Sequence, residues 1–282
     1  MFRLFAKSQI QICKLLYENA IILAIFTSEP ICPPVKHFLL FAVCLLLSDF
    51  PPQTEKAEKY IADHRTEWYA EWRALDVSPE MAESVIWPEI LRYSVIRDII
   101  ENTLNYSTYI RLGTSGFDFS VGRFQIRPSF AERLEKAWMK SGLAPRYNIW
   151  FDTQDTRYAR RKRIRRLQKD EWQCRYLGVF LRLLYQTYGS FDNRQKKVQE
   201  GLETLPEEDQ VRLVSTAYNC GCQWPEAGHG DLGRLWAHAY DQNFHLELGS
   251  GKYKLGSEEP APHYSYSDLC IEWYRQILEK SE

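Results

Sequence analysis

From residue 53 onward, apolar and aromatic side chains recur at the three- and four-residue spacing of a helix. Tyr60, Ile61, His64, Trp68 and Trp72 follow this spacing, and no strand-like alternation of useful length appears in the sequence. The pattern therefore predicts an all-α domain. Further helices are expected at about 79–91, 94–112, 129–141, 155–188, 207–218, 231–243 and 267–280. Their predicted ends carry suitable residues, such as Ser78 and Pro79 at one start and Gly113, Gly142 and Gly189 at three ends.

The size and composition of the chain fit one domain with appendages. Its 282 residues are 45% hydrophobic and 14% aromatic, which is ample for a sizeable core. Lys and Arg together number 36 and Asp and Glu 37, so the overall charge gives no reason to expect nucleic acid as a partner.

The cysteines do not form the pattern of a structural zinc site. Cys13, Cys32 and Cys44 lie in the first fifty residues, and four cysteines remain beyond them. Cys220 and Cys222 form a C-x-C pair without a second pair or the histidines that zinc needs. We expect neither a metal nor a cofactor. The four later cysteines are Cys174, Cys220, Cys222 and Cys270, as free thiols or with a disulfide among them.

The first fifty residues contain two short apolar runs, at 20–26 and 38–48. Lys36 and His37 precede the second run, which has the layout of a secretory signal. We therefore expect residues 1–34 to be a leader or a non-native extension, and 35–52 a signal peptide or membrane anchor. Residues 53–282 would form the exported domain, in the periplasm or cell envelope. An uncleaved anchor that uses both runs is the alternative.

Basic residues are concentrated in a helical segment around 155–170, chiefly between Arg157 and Lys169. They can form a solvated helix face, or they can dock to an anionic polymer or membrane surface. The docking surface would consist of Arg160, Arg161, Lys162, Arg163, Arg165 and Arg166.

Three segments combine isolated polar residues with an otherwise apolar helical pattern. Glu89 lies in ESVIWPEILRYS, Gln125 in FDFSVGRFQIRPSF, and Tyr218 in STAYNCG. Val85, Ile86 and Trp87 precede Glu89, and apolar surroundings favour the protonated form of a carboxylic acid. An acid of this kind can donate a proton to a glycosidic oxygen.

The order of these segments resembles the lytic transglycosylase and goose-type lysozyme family. That family has an apolar helix ending in a catalytic Glu, a Gly-x-Met-Gln turn and an Ala-Tyr-Asn-Ala-Gly helix end. The matching segments are 85–89, 122–126 and 217–221. The resemblance covers about residues 80–222 and implies a single lysozyme-like domain with Glu89 as the catalytic residue. The predicted helix 94–112 lies between the first two motifs, and Glu101 on it is the alternative catalytic residue.

The resemblance also implies roles for the residues around the acid. Gln125 would hydrogen-bond a sugar amide or hydroxyl, and Gly122 would let the backbone approach the substrate closely. Tyr218 would hold the N-acetyl group or the acid, or else belong to the core. Asn219 would cap the helix end. Asp118 would be either a second carboxylate for hydrolysis or a hydrogen-bond acceptor that orders its loop.

These expectations point to the glycan strands of peptidoglycan as the substrate. A lytic transglycosylase, the resemblance implies, cleaves with one acid and leaves 1,6-anhydro-N-acetylmuramic acid ends without consuming water. A hydrolytic muramidase is one alternative and would need Asp118 or another carboxylate. A non-catalytic envelope protein that binds glycan or acts as a scaffold is another.

Overall fold

The computed structural model describes residues 54–188, 201–220 and 266–280, all within the unit that spans 49–282. These ranges are helical, with 3₁₀ turns at Gly113–Ser115 and Leu202–Thr204 and one isolated antiparallel bridge between Val121 and Ile126, and they contain no β-strand. The all-α prediction is confirmed. The α-helices are α1 Thr54–Ala74, α2 Pro79–Leu91, α3 Val95–Leu112, α4 Pro128–Lys140, α5 Ala144–Tyr147, α6 Arg157–Leu167, α7 Asp170–Tyr188, α8 Glu207–Cys220 and α9 Tyr266–Glu279.

Most helix boundaries lie where the sequence predicts them. Helix α2 begins at Pro79, and the Oγ atom of Ser78 accepts a hydrogen bond from the backbone N–H of Met81 at 3.2 Å. Gly113 and Gly142 follow the ends of α3 and α4 with φ values of +65° and +78°. The predicted helix 231–243, Gly189 and the segments 1–34 and 35–52 lie outside the described residues.

Helix α2 forms the centre of the described helices, with contacts to α1, α7, α8 and α9. It is buried on nearly all sides, which is the pattern of a helix that lies inside a core. The indole rings of Trp87 and Trp273 stack 3.8 Å apart and join α2 to α9. Glu83 is fully buried in α2, where Arg65 donates two hydrogen bonds to it at 2.8 and 2.7 Å.

The basic segment does not form one exposed face, because part of it is buried in an ion cluster. Arg163 on α6 is 0% exposed and donates to Glu135 of α4 at 2.8 Å and to Tyr109 of α3 at 2.5 Å. Arg166 donates to the same Glu135 at 2.8 Å. Arg160, only 8% exposed, donates to the backbone carbonyl of Ile110 at 3.2 Å.

The docking surface expected from sequence therefore needs correction. Arg160 and Arg163 point inward and cannot contact a surface, whereas Arg161, Lys162 and Arg165 are exposed. Arg166 is half-buried.

The predicted helix 155–188 is wrong as a single element, because the chain breaks it after Leu167. A second helix begins at Asp170, and the backbone N–H groups of Trp172 and Gln173 bond to the carbonyl of Lys169, each at 3.0 Å. The side-chain amide of Gln173 donates back to the carbonyl of Leu167 at 2.7 Å. This bond satisfies a carbonyl that the end of α6 would otherwise leave without a partner. None of the described helices is long and apolar enough to cross a membrane.

Candidate functional site

Glu89 stands out in α2 because the helix is otherwise almost completely buried. Of its thirteen residues, only Glu80 in the first turn and Glu89 in the last are not buried. Glu89 is half-buried and follows Pro88, which lies inside the helix. The carboxyl group thus occupies a position between the apolar core and the surface, where an acid can meet a substrate while remaining partly shielded from water.

Two buried phenols lie within electrostatic range of Glu89. Burial and then the negative charge of Glu89 raise the pKa of Tyr218 well above its usual range. The pKa of Tyr266 is raised by burial first and by Glu89 second, and its hydroxyl group also forms a hydrogen bond with the Glu89 side chain. Burial first, with Glu89 as a smaller contribution, also raises the pKa of the Cys270 thiol. These phenols stay neutral at all ordinary pH values and can serve only as hydrogen-bond partners.

Tyr266 also donates its hydroxyl proton to the backbone carbonyl of Val85 at 2.8 Å. Val85 and Glu89 therefore have the same phenol group as a hydrogen-bond partner.

Tyr218 joins the second and third motifs. Its hydroxyl group donates to the backbone carbonyl of Phe124 at 2.6 Å, and the residue is 9% exposed. Phe124 directly precedes Gln125, so this bond joins helix α8 to the turn at 122–125. Tyr218, whose pKa is raised by burial and by the charge of Glu89, is the residue of α8 that contacts the turn.

The turn at 122–125 is fixed from both sides. The backbone N–H of Gly122 donates to Asp98 at 2.6 Å, and that of Phe124 donates to the side chain of Gln173 at 2.7 Å. Gln125 adopts a φ of +53°, and its side-chain amide donates to the carbonyl of Gly122 at 2.7 Å. Gln125 is half-buried.

Gly122 makes a close approach, but to a protein side chain. It has a φ of +70°, and a Cβ atom built there would lie 1.7 Å from the Nε2 atom of Gln173. The glycine is thus required by Gln173, the same residue that holds the carbonyl of Leu167. The sequence pattern predicted that the backbone of Gly122 approaches a substrate. It gave no indication of the contacts with Gln173 and Asp98.

Asp118 acts as an acceptor at the start of α4. Its two carboxylate oxygens accept from the backbone N–H of Ser129 at 2.8 Å and from the Oγ atom of the same residue at 2.6 Å. Both bonds fall in the first turn of the helix. There a carboxylate satisfies free N–H groups and interacts favourably with the positive end of the helix dipole. This geometry is that of the loop-ordering acceptor.

The remaining predicted residues lie on α3 and α8. Glu101 lies on α3 and is 2% exposed, whereas Glu89 is half-buried. Asn219 is half-buried in the last turn of α8, which continues to Cys220. Within the described ranges, no group of three or more His, Cys, Asp or Glu side chains is placed to hold a metal ion, and Cys174 and Cys270 are buried free thiols. Cys222 lies outside the described residues.

A cavity of about 450 Å³ opens beside the turn. Ile90, the residue after Glu89, lines it together with Arg123, which belongs to the turn itself. Tyr60 and Tyr93 form part of its wall, and Lys56 and Lys59 contribute two further cations. The sequence pattern did not single out Arg123, although it lies between Gly122 and Gln125.

No family model matches the chain, and no curated protein or solved structure matches it significantly.

Proposed function

We propose that the protein cleaves the glycan strands of peptidoglycan, with Glu89 as the general acid and then the general base. The observation that carries this proposal is the setting of Glu89: the half-buried carboxyl group of a buried helix, bonded to the phenol of Tyr266. A catalytic acid must hold its proton until the glycosidic oxygen arrives, and such a setting serves that purpose.

The elements around Glu89 supply a polar turn that a substrate could contact. The bond from Tyr218 to Phe124 joins helix α8 to the turn at 122–125, and Gln125 follows Phe124 in that turn. Burial and the charge of Glu89 raise the pKa of this same Tyr218. From this position, the half-buried amide of Gln125 would hydrogen-bond an acetamido or hydroxyl group of a sugar. A convergence of one acid and a polar turn at the edge of a core is typical of a site that orients a single bond for cleavage.

The occupied carboxylate of Asp118 supports the lytic over the hydrolytic route. Hydrolysis with inversion or retention uses two carboxyl groups that flank the scissile bond. Asp118 is instead bonded twice to Ser129 at the start of α4. We therefore infer that the N-acetyl group of N-acetylmuramic acid assists departure of the leaving sugar. The C6 hydroxyl of the same residue then attacks the anomeric carbon, Glu89 takes its proton, and a 1,6-anhydro end forms. This substrate requires that the domain act outside the cytoplasm.

The decisive experiment compares two glutamates of the same helix. Glu89→Gln keeps the shape of the side chain but has no transferable proton, so turnover of purified peptidoglycan should fall by about 10²- to 10⁴-fold or more. Glu80→Gln is the matched control, because Glu80 is also a half-buried glutamate of α2, and its carboxylate accepts from the hydroxyl group of Ser78 at 3.1 Å. The control should retain wild-type activity and the same helical circular dichroism.

Mass spectrometry of the released muropeptides identifies the reaction. Lytic cleavage should give products about 18 Da lighter than hydrolysis, because the sugar hydroxyl replaces water. Reducing-end products would instead support a muramidase. Loss of activity in Glu101→Gln with full activity in Glu89→Gln would move the acid to α3. A wild-type protein that binds peptidoglycan and releases nothing would favour the glycan-binding alternative.

A further inference from the structure

Helix α6 is divided along its length into a buried side and an exposed side. Its exposed residues share one face, within an arc of about 140° at about 100° per residue. They are Tyr158 and the cations Arg157, Arg161, Lys162 and Arg165, and this set is the outer face of α6. The opposite side consists of the buried residues Ala159, Arg160, Arg163, Ile164 and Leu167.

The buried side fixes how α6 is rotated about its axis. Ile164 belongs to one buried cluster with Ile110 of α3. Arg163 donates to Glu135 of α4 at 2.8 Å, and Arg160 donates to the backbone carbonyl of Ile110 at 3.2 Å. Rotation of the helix would break these buried bonds, which is costly when the groups lose all partners. The outer face of α6 is therefore held on the surface of the protein.

The acidic partners of α6 contact the arginines of its buried side. Glu132 and Glu135 of α4 pair with Arg163, and Asp155 pairs with Arg160. Within the described ranges, the side chains of the four outer cations form neither an ion pair nor a hydrogen bond. Their positive charges therefore remain available for an external anion.

Tyr158 places an aromatic ring among these cations. It is 62% exposed, and the Nζ atom of Lys162 lies 4.3 Å from its ring centre. Tyrosine is enriched where a bilayer meets water, because its ring is apolar and its hydroxyl group is polar. Clustered Lys and Arg side chains are attracted to the anionic lipids of the same layer. The combination on α6 thus matches the headgroup region of a membrane.

We propose that the outer face of α6 docks the protein on a membrane surface that contains anionic phospholipids. The four cations span about 12 Å along the helix, so a flat surface parallel to the helix reaches all of them at once. Anionic lipids diffuse within the bilayer and adjust to the spacing of the cations, whereas a polymer has a fixed spacing of charges. The inference does not depend on the cleavage of glycan strands, because none of these residues belongs to the proposed catalytic site.

The test measures how the full chain partitions onto vesicles in a sedimentation assay. One set of vesicles contains only phosphatidylcholine, and the other also contains about 30% phosphatidylglycerol, which gives an anionic surface. The measured quantity is the ratio of the two partition coefficients, in which any contribution from apolar segments of the chain cancels. We expect the wild type to prefer the anionic vesicles by at least about 100-fold at low salt, because each surface cation contributes about fivefold. High salt should remove this preference by screening.

Two double variants separate the outer face from the net charge. The variant with Arg161→Gln and Arg165→Gln should lower the ratio by about 25-fold, at about fivefold for each cation. The matched control combines Arg133→Gln and Lys140→Gln, which removes two exposed cations from α4 and should leave the ratio within about threefold of the wild type.

A third double variant shows whether the charge itself is responsible. Arg161→Lys with Arg165→Lys keeps both charges and should retain the preference of the wild type, since attraction to a membrane surface depends on charge rather than on guanidinium geometry. Equal partition of the wild type onto the two kinds of vesicle would overturn the proposal. So would an equal loss in the double glutamine variant and in the control on α4.

Tyr158→Ser distinguishes a membrane from a soluble polyanion. This variant should weaken binding to the anionic vesicles and leave binding to inorganic polyphosphate unchanged, because only the bilayer offers an apolar layer to the ring. Vesicle binding that Tyr158→Ser leaves unchanged would assign the outer face to a soluble polyanion and overturn the membrane proposal. Tighter binding of the wild type to polyphosphate than to anionic vesicles, at equal anion concentration, would do the same.

Discussion

Two glutamates of helix α2 show how the surroundings of a carboxyl group set its role. Glu83 is fully buried and receives two bonds from Arg65, with a third from the indole N–H of Trp273 at 3.0 Å. These donors lie on α1 and α9, so Glu83 joins α2 to both helices. Glu89 instead lies beside the buried phenols of Tyr218 and Tyr266, which carry no charge. The two glutamates thus have different surroundings, and only Glu89 is proposed to transfer a proton.

Tyr266 should act as a positioning residue for Glu89, and its hydroxyl group can be removed alone. Tyr266→Phe should lower kcat/KM for muropeptide release by about tenfold or more, since a hydrogen bond to an ionisable group is lost. Tyr274→Phe is the control, because Tyr274 lies on the same helix and bonds to Glu207 at 2.8 Å instead. A merely structural role would lower the melting temperature of both variants alike and leave kcat/KM per folded molecule unchanged.

Among the elements, helix α6 shows why a run of basic residues cannot be read as one surface. Successive residues of a helix point in different directions, whereas residues three positions apart lie close together on its surface. Arg163 and Arg166 are three positions apart and both pair with Glu135 of α4, while Arg160 pairs with Asp155. Arg161 and Arg165 are exposed. The inward arginines join α6 to α3 and α4, and they support the helices that carry the turn.

Two arginines of α6 should therefore differ greatly in their effect on stability. Arg163→Gln removes one of the two arginines that pair with the buried Glu135, and breaking a buried pair costs up to about 3–5 kcal/mol. Arg161→Gln, on the exposed face of the same helix, should change the free energy of unfolding by less than about 0.5 kcal/mol. Urea denaturation followed by circular dichroism measures both. Equal midpoints for the two variants would show that the buried cluster does not stabilise the fold.

At the scale of the whole molecule, separate stretches of sequence contribute to one region. The carbonyl of Val85 accepts from Tyr266, so α2 is bonded to α9, and Tyr218 donates to Phe124, so α8 is bonded to the turn. Asp98 on α3 and Gln173 on α7 hold the opposite side of the turn. A change in any of these helices would reach Glu89 through the packed core rather than along the chain.

The proposed substrate also makes a prediction about the whole chain. Because peptidoglycan lies outside the cytoplasm, residues before about 50 should be absent from the mature protein, as the run after Lys36 and His37 predicts. N-terminal sequencing of the native protein from envelope and cytosolic fractions measures this. Protein that begins at Met1 and remains in the cytosol would contradict both export and the proposed function.

The sequence by itself determined most of the helices, because periodicity and end signals are local properties of the chain. Ser78 and Pro79 predicted the start of α2, and Gly113 and Gly142 predicted two helix ends, since caps and positive φ values depend on adjacent residues alone. It also singled out Glu89, the turn at 122–125 and Tyr218, whose surroundings in the chain are unusual for polar residues.

Only the tertiary structure decided what each of these residues contacts. Gln173 occupies the space beside Gly122. Ser129 donates to both carboxylate oxygens of Asp118. The buried Arg163 donates to Glu135. The break after Leu167 depends on the same Gln173. Each partner lies on another element, and a buried polar group must find a partner wherever the fold brings one close. That choice is a property of the packed molecule, so no local pattern in the sequence could reveal it.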